Sequence, residues 1–213
     1  MLFIKAYYYI LENHARFLEA VRIHMTLSLS ALLVSIIICV PLGIICSKFG
    51  RVSSVIMNIV NGLRVIPSLA ILIIVLPVLG TGFLPALIAL AVLACPPILI
   101  NTFLAFRGIS PSIIEAACGM GMNNKQILFS VEFPLAMPLI IAGIRTAAVE
   151  VVASATLAAF IGGGGLGIFI INGLGMYNFA MLLVGAAPVA LLAVMSEMIL
   201  AAAEKMVTRY QRD

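Results

Sequence analysis

Five long apolar runs, separated by short polar or glycine-rich stretches, make up most of this chain. The first covers residues 25–46 and stops at a polar turn holding Lys48 and Arg51. The second, 55–79, carries Asn58, Asn61, Arg64 and Pro67 within it and ends at the uncharged Gly80-Thr81-Gly82. The third, 84–106, is interrupted by Pro96-Pro97 and gives way to the longest polar stretch of the interior, residues 107–133. A fourth run, 134–161, contains Arg145 and Glu150 and leads into Gly162-Gly163-Gly164-Gly165-Leu166-Gly167. The fifth, 180–203, closes on a charged tail. A bilayer core about 30 Å thick is crossed by about 20 apolar residues in a helix, so each run is long enough to span. The pattern predicts an all-α integral membrane protein of about five transmembrane helices, forming one domain over residues 23–206.

Composition sharpens this reading. Hydrophobic residues are 64% of the chain and charged ones 9%, against about 45–50% and 25% in a soluble domain. Residues 1–22 carry Glu12, His14, Arg16 and Glu19 at short intervals, which breaks up any signal-peptide apolar region and makes a poor sixth span. They are expected to form an amphipathic or interfacial lead-in. Loop charges set the orientation. If the spans alternate, Lys48, Arg51, Arg107, Lys125, Lys205, Arg209 and Arg212 share one side, and the opposite loops, 80–83 and 162–179, carry no charge. The positive-inside rule places 47–53, 107–133 and the tail 207–213 in the cytoplasm and the N-terminus outside, with Lys5, Arg16 and Arg22 mildly against it.

Several function classes fall away. The formal charge of +4 does not form a basic stripe, so nucleic acid is not an expected partner. Cys39, Cys46, Cys95 and Cys118 show no paired spacing, and no disulfide framework or metal site follows. His14 and His24 have no ligand spacing and read as solvated or interfacial. The G-x-G-x-x-G within 162–167 follows a membrane span and not a strand, so it is read as a flexible external loop instead of a dinucleotide site. No G-x-x-x-x-G-K-[ST] occurs, and no catalytic residues are assigned.

The cytoplasmic stretch holds a short helix with its own start and stop signals. Ser110 before Pro111, or Ser112 in a capping box with Glu115, opens it, and Gly119 or Gly121 closes it. Glu115 is placed in the early turn, where a carboxylate complements the helix dipole. The run Glu115-Ala116-Ala117, three residues, Gly121, nine residues, Val131-Glu132-Phe133-Pro134 resembles the EAA signature of permease subunits of binding-protein-dependent ABC importers. Val131 and Phe133 stand where that signature has Ile and Leu. Further stretches, including 41–44, 66–70, 142–147 and 155–162, are similar to the quaternary-amine branch, whose members import glycine betaine, carnitine or choline as osmoprotectants.

The resemblance implies a multi-pass subunit of a bacterial inner membrane whose coupling helix docks on cytoplasmic ABC ATPase subunits. Glu115, Ala116, Ala117, Gly121 and Pro134 would be the coupling residues. ATP and magnesium would be bound by the partner ATPase, with no cofactor in this chain. The other implied partners are a second permease, identical or similar, an extracytoplasmic binding protein and membrane lipid. Permeases for methionine share the five-helix plan and stand as an alternative. A secondary transporter or channel is the alternative of another class, but no clear inverted repeat is visible.

Three charges lie inside apolar runs: Arg64, Arg145 and Glu150. Each costs at least about 2.5–3.5 kcal/mol in hydrocarbon, so each is expected to face protein or water, in a translocation path or an intramembrane pair. Thr146 and Glu150 share a helix face and Arg145 does not, so Arg145 is expected to pair with another helix. Pro67, Pro77, Pro96, Pro97 and Pro188 mark hinges or static kinks.

Overall fold

The computed structural model describes residues 2–208. Ten α-helices make up nearly all of it, and no strand occurs among the described residues. α1 (Leu2–Glu12) is separated from α2 (His14–Lys48) only by Asn13, whose Nδ2 donates to Tyr9 O at 3.1 Å. The lead-in is therefore not one segment. Its second half forms the opening turns of the first span, which runs unbroken for 35 residues, about 52 Å of helix. α1, at 11 residues, is too short to cross a core about 30 Å thick. Ala6, Tyr9 and Ile10 pack with Phe169, Met181 and Val184 in a cluster formed with the later helices.

The second apolar run is not one straight span. α3 (Gly50–Leu63) and α4 (Ser68–Leu79) meet at 102° across Arg64–Pro67. Pro67 has no N–H to continue a helix, and Ile66 before it is pushed out of the α region. Val65 and Ile66 close tight turns on Gly62 O (3.1 Å) and Leu63 O (3.2 Å) instead. Pro77, Pro96, Pro97 and Pro188 sit inside helices that continue through them, so only Pro67 coincides with a break.

α5 (Phe83–Arg107) is the third span; α6 (Pro111–Gly119) and α7 (Asn124–Ile127) follow it. A π-helical turn, Leu128–Glu132, then leads into α8 (Phe133–Ser154), the fourth span. The helix ends there, short of the expected 161, and the chain continues as a 3₁₀ turn over Leu157–Ile161. α9 (Gly167–Gly175) occupies what reads as a loop in sequence, and α10 (Phe179–Thr208) is the fifth span. The tail with Arg209 and Arg212 lies outside the described residues.

α5 packs between α2 and α8 in the main core, with Leu27, Leu90, Ile98, Leu99 and Val151 almost fully buried. Lipid tails are as apolar as these side chains, so the contacts rest on close approach and on polar groups satisfied across helices. A Cβ on Gly43 of α2 would stand 2.7 Å from Thr102 Cβ of α5, and one on Gly143 of α8 would stand 2.8 Å from Pro97 O. Ser35 Oγ donates to Ala31 O at 2.8 Å on its own helix or to Ala91 O of α5 at 2.9 Å.

Two sets of loops gather at opposite ends of the bundle. Lys48 Nζ reaches Glu132 Oε2 at 3.1 Å at one end, and Gly82 N donates to Ile161 O at 2.8 Å at the other. The glycine-rich stretch is packed at this second end instead of flexible. Gly163 and Gly165 are buried, Gly163 N donates to Ala158 O at 2.8 Å, and Gly162, Gly164 and Gly165 take positive φ. A Cβ on Gly165 would lie 3.3 Å from His24 Nδ1. His24 itself is fully buried, its Nε2 3.1 Å from Val152 O, and so is neither solvated nor interfacial.

Candidate functional site

At the charged end, α6 stands out from the bundle. Only Ala117 is buried on it; Ile113, Glu115, Ala116 and Cys118 are exposed. The helix opens at Ser110 with Pro111 in its first turn, and the Ser112–Glu115 capping box does not form. Ser110 and Ser112 pair their hydroxyls at 2.8 Å instead. With the helix starting at Pro111, Glu115 falls in its second turn, beyond the early-turn position expected for it. The dipole's benefit fades there.

The end of α6 explains Gly121. Met122 N donates to Ala117 O at 3.2 Å and Gly121 N to Cys118 O at 2.9 Å, the two bonds of a Schellman closure. That closure needs a left-handed residue, and Gly121 supplies φ +82°. No atom lies within 4 Å of where its Cβ would be, so conformation and not space demands glycine. Asn123 then caps α7, its Oδ1 accepting from Lys125 N and Gln126 N at 3.1 and 3.0 Å while its own N donates to Gln126 Oε1 at 2.9 Å. Pro134 follows the π-helical turn within a helical stretch that runs unbroken from Asn124 to Ser154. The five residues expected to couple thus fall along one outward hairpin: three on α6, one at its closure, one where the chain re-enters the bundle. A cavity of about 740 Å³ lies beneath it, lined by Phe106, Arg107, Ile109, Ile114, Glu115 and Cys118 among others.

The three intramembrane charges separate into two places. Arg145 binds α10, its Nε 3.0 Å from Glu197 Oε1 and its Nη1 2.6 Å from Glu204 Oε2. Arg64 and Glu150 instead line one cavity of about 510 Å³, held between the α3–α4 elbow, α5 and α8. Among the described residues neither makes a salt bridge, and both are exposed within the single chain. Thr146, one turn before Glu150, shares the wall with Ser68 and Ser154. The two serines carry no sequence signal, because nothing in the apolar pattern foretells the elbow that brings Ser68 inward. Lys48 and Glu132 carry no pairing signal in sequence either. They stand 84 positions apart in the chain.

A family described as the binding-protein-dependent transport system inner membrane component matches residues 39–209. A carnitine transport permease protein of Listeria monocytogenes, OpuCB, is 45% identical over 197 residues, 92% of this chain and 90% of its own length. A choline transport system permease protein of Bacillus subtilis, OpuBB, is 42% identical over 185 residues, 87% of this chain and 85% of its own. Among solved structures, an inward-facing form of the MetNI methionine ABC transporter superposes with a TM-score of 0.84 at 21% identity, covering 92% of this chain and 98% of that one, a likeness of fold. With the family matched over residues 39–209 and two permeases more than 40% identical along most of their length, this chain belongs to the inner-membrane components of binding-protein-dependent importers and is a multi-pass permease subunit.

Proposed function

We propose that this permease carries quaternary-ammonium osmoprotectants, glycine betaine, carnitine and choline, and that α6 is its handle for a separate cytoplasmic ATPase that binds ATP and magnesium. The single observation behind the solute class is the identity of 45% and 42% to permeases named for carnitine and choline, spread along the chain instead of confined to the motif. The exposed α6 supports the second part. A nine-residue helix with one buried side chain and outward Ile113 and Ala116 has an apolar face that none of the described residues covers. Small Ala116 admits another backbone closely. A second permease, identical or similar, and an extracytoplasmic binding protein complete the assembly.

ATP binding would draw two ATPase subunits together and move the α6 of each permease, biasing the spans between inward- and outward-facing states through contacts that differ between them. The test is uptake by proteoliposomes holding the complete importer with its binding protein. ATP-dependent accumulation of labelled betaine, carnitine or choline, but not methionine, is the expected result. Accumulation of methionine alone would replace the solute assignment, and uptake without any ATPase would overturn the coupling role of α6.

A further inference from the structure

The cavity behind the α3–α4 elbow sits at mid-depth. Its α5 lining residues, Val92, Leu93, Pro96 and Pro97, bracket the middle of a helix running from Phe83 to Arg107. It holds one positive and one negative side chain, Arg64 and Glu150, with no salt bridge between them. Two neighbouring opposite charges in a membrane interior that do not close into a salt bridge are each costly, and both remain available to a third party. The surrounding backbone adds to the pattern. Pro96 and Pro97 have no N–H, so the carbonyls of Val92 and Leu93 lose their intrahelical donors beside Glu150. α4 begins at Ser68 beside Arg64, and the free N–H groups of a first helical turn favour negative charge. One wall is thus electropositive and the other electronegative.

We propose that this cavity is a waypoint for zwitterionic solutes, with Arg64 receiving the carboxylate and Glu150 receiving the quaternary ammonium. The assignment rests on the osmoprotectant reading above and adds the residues that meet the solute. A volume of about 510 Å³ falls within the usual range for small-molecule sites, about 300–1,000 Å³. No aromatic residue lines it, so the ammonium is held by charge and not by a cation–π cage. That suits passage, since a site on a translocation path must release its solute as readily as it takes it. A zwitterion satisfies both walls. Choline has no carboxylate, meets only Glu150 and leaves Arg64 repelling it.

The experiment compares choline and glycine betaine uptake in the complete importer carrying R64Q or E150Q. The ratio of the two solutes is read within one preparation, so expression level and the selectivity of the binding protein cancel. R64Q is expected to raise the choline-to-betaine ratio about tenfold, the size of one charge-assisted contact, while E150Q removes the ammonium contact that both solutes share and is expected to slow both about tenfold, with E150D restoring them. R64K is expected to keep the wild-type ratio. A purely structural role for Arg64 would reduce both solutes together, so a ratio unchanged in R64Q, or uptake unchanged in E150Q, overturns the proposal. If either neutral variant fails to assemble, T146C in the native background decides. Its excess labelling over wild type by a thiol reagent is expected to be slowed by saturating betaine, and labelling insensitive to betaine overturns the waypoint. A wild-type importer that moves none of these solutes counts against the osmoprotectant assignment itself, a result separable from the variant ratios.

Discussion

Replacing Gly121 by alanine tests whether the closure of α6, and not merely its presence, carries coupling. At φ +82° a Cβ is unfavourable by about 1–2 kcal/mol. With no atom within 4 Å the cost is one of backbone conformation alone. Relieving it means giving up the bonds from Gly121 N and Met122 N that end the helix. One to two kcal/mol is a factor of about 5–30 in population, and an isolated nine-residue helix has little reserve to absorb it. In G121A, amide exchange across residues 117–124 is expected to accelerate, and ATPase co-purification with the permease to fall by a comparable factor. G121N, which tolerates the left-handed region, is expected to lie near wild type. Gly119, within the helix and with open space around its Cβ position, is the control: G119A gains helix propensity by up to about 1 kcal/mol and is expected to leave docking intact. The reasoning fails if G119A is as damaging as G121A, or if G121A leaves both exchange and co-purification unchanged.

Three further outcomes follow from the packing. G143A pushes a Cβ to 2.7 Å from Asn101 Cβ and 2.8 Å from Pro97 O. Overpacking of about 1–3 kcal/mol lowers the unfolding midpoint in detergent by about 2–12 °C, whereas G62A, with nothing within 4 Å, leaves it unchanged. R145M removes two carboxylate contacts to α10 and is expected to cost about 1.5–3 kcal/mol. K48M, whose side chain is 44% exposed, is expected to cost under about 1 kcal/mol, and equal midpoints for the two variants would refute the contrast. Cys39 Sγ of α2 and Cys95 Sγ of α5 stand 2.9 Å apart as free thiols. Copper phenanthroline is expected to oxidise both to one disulfide, with loss of two alkylation sites in wild type and no such loss in C39S.

How much of this was written in the chain varies from element to element. Spans show because hydrocarbon demands about 20 apolar residues whatever the tertiary fold, and the α6 hairpin shows because Ser110-Pro111 and Gly121 are local start and stop signals. The elbow does not show as a break, because Val65, Ile66, Leu69 and Ile71 keep the run apolar and a lone Pro67 fits a kink as well as a hinge. His24 reads as interfacial because its neighbours Arg22 and Glu19 are charged; its burial comes from Gly165 and Val152, more than a hundred positions away. Arg145 and Glu150 look alike in sequence, five apart in one run. Their fates differ because only the face of Arg145 meets the carboxylates of α10.

That division also fixes how motion at α6 would reach the solute. α6 leaves α5 at Arg107 and returns to α8 through the π-helical turn, so a pull on it acts on those two helices first. They pack closely where Gly143 meets Pro97 and Asn101, and α8 is tied to α10 through Arg145, so the three are expected to move as a body. The elbow carries no such lock. Arg64, Val65, Ile66 and Pro67 are all exposed, and the chain turns 102° there with no interhelical ion pair among the described residues. Arg64 on the elbow and Glu150 on that body therefore line one cavity at the boundary between them. A change of state that shifts α8 against the elbow changes the distance between the two charges, and with it the hold on any solute lying between them.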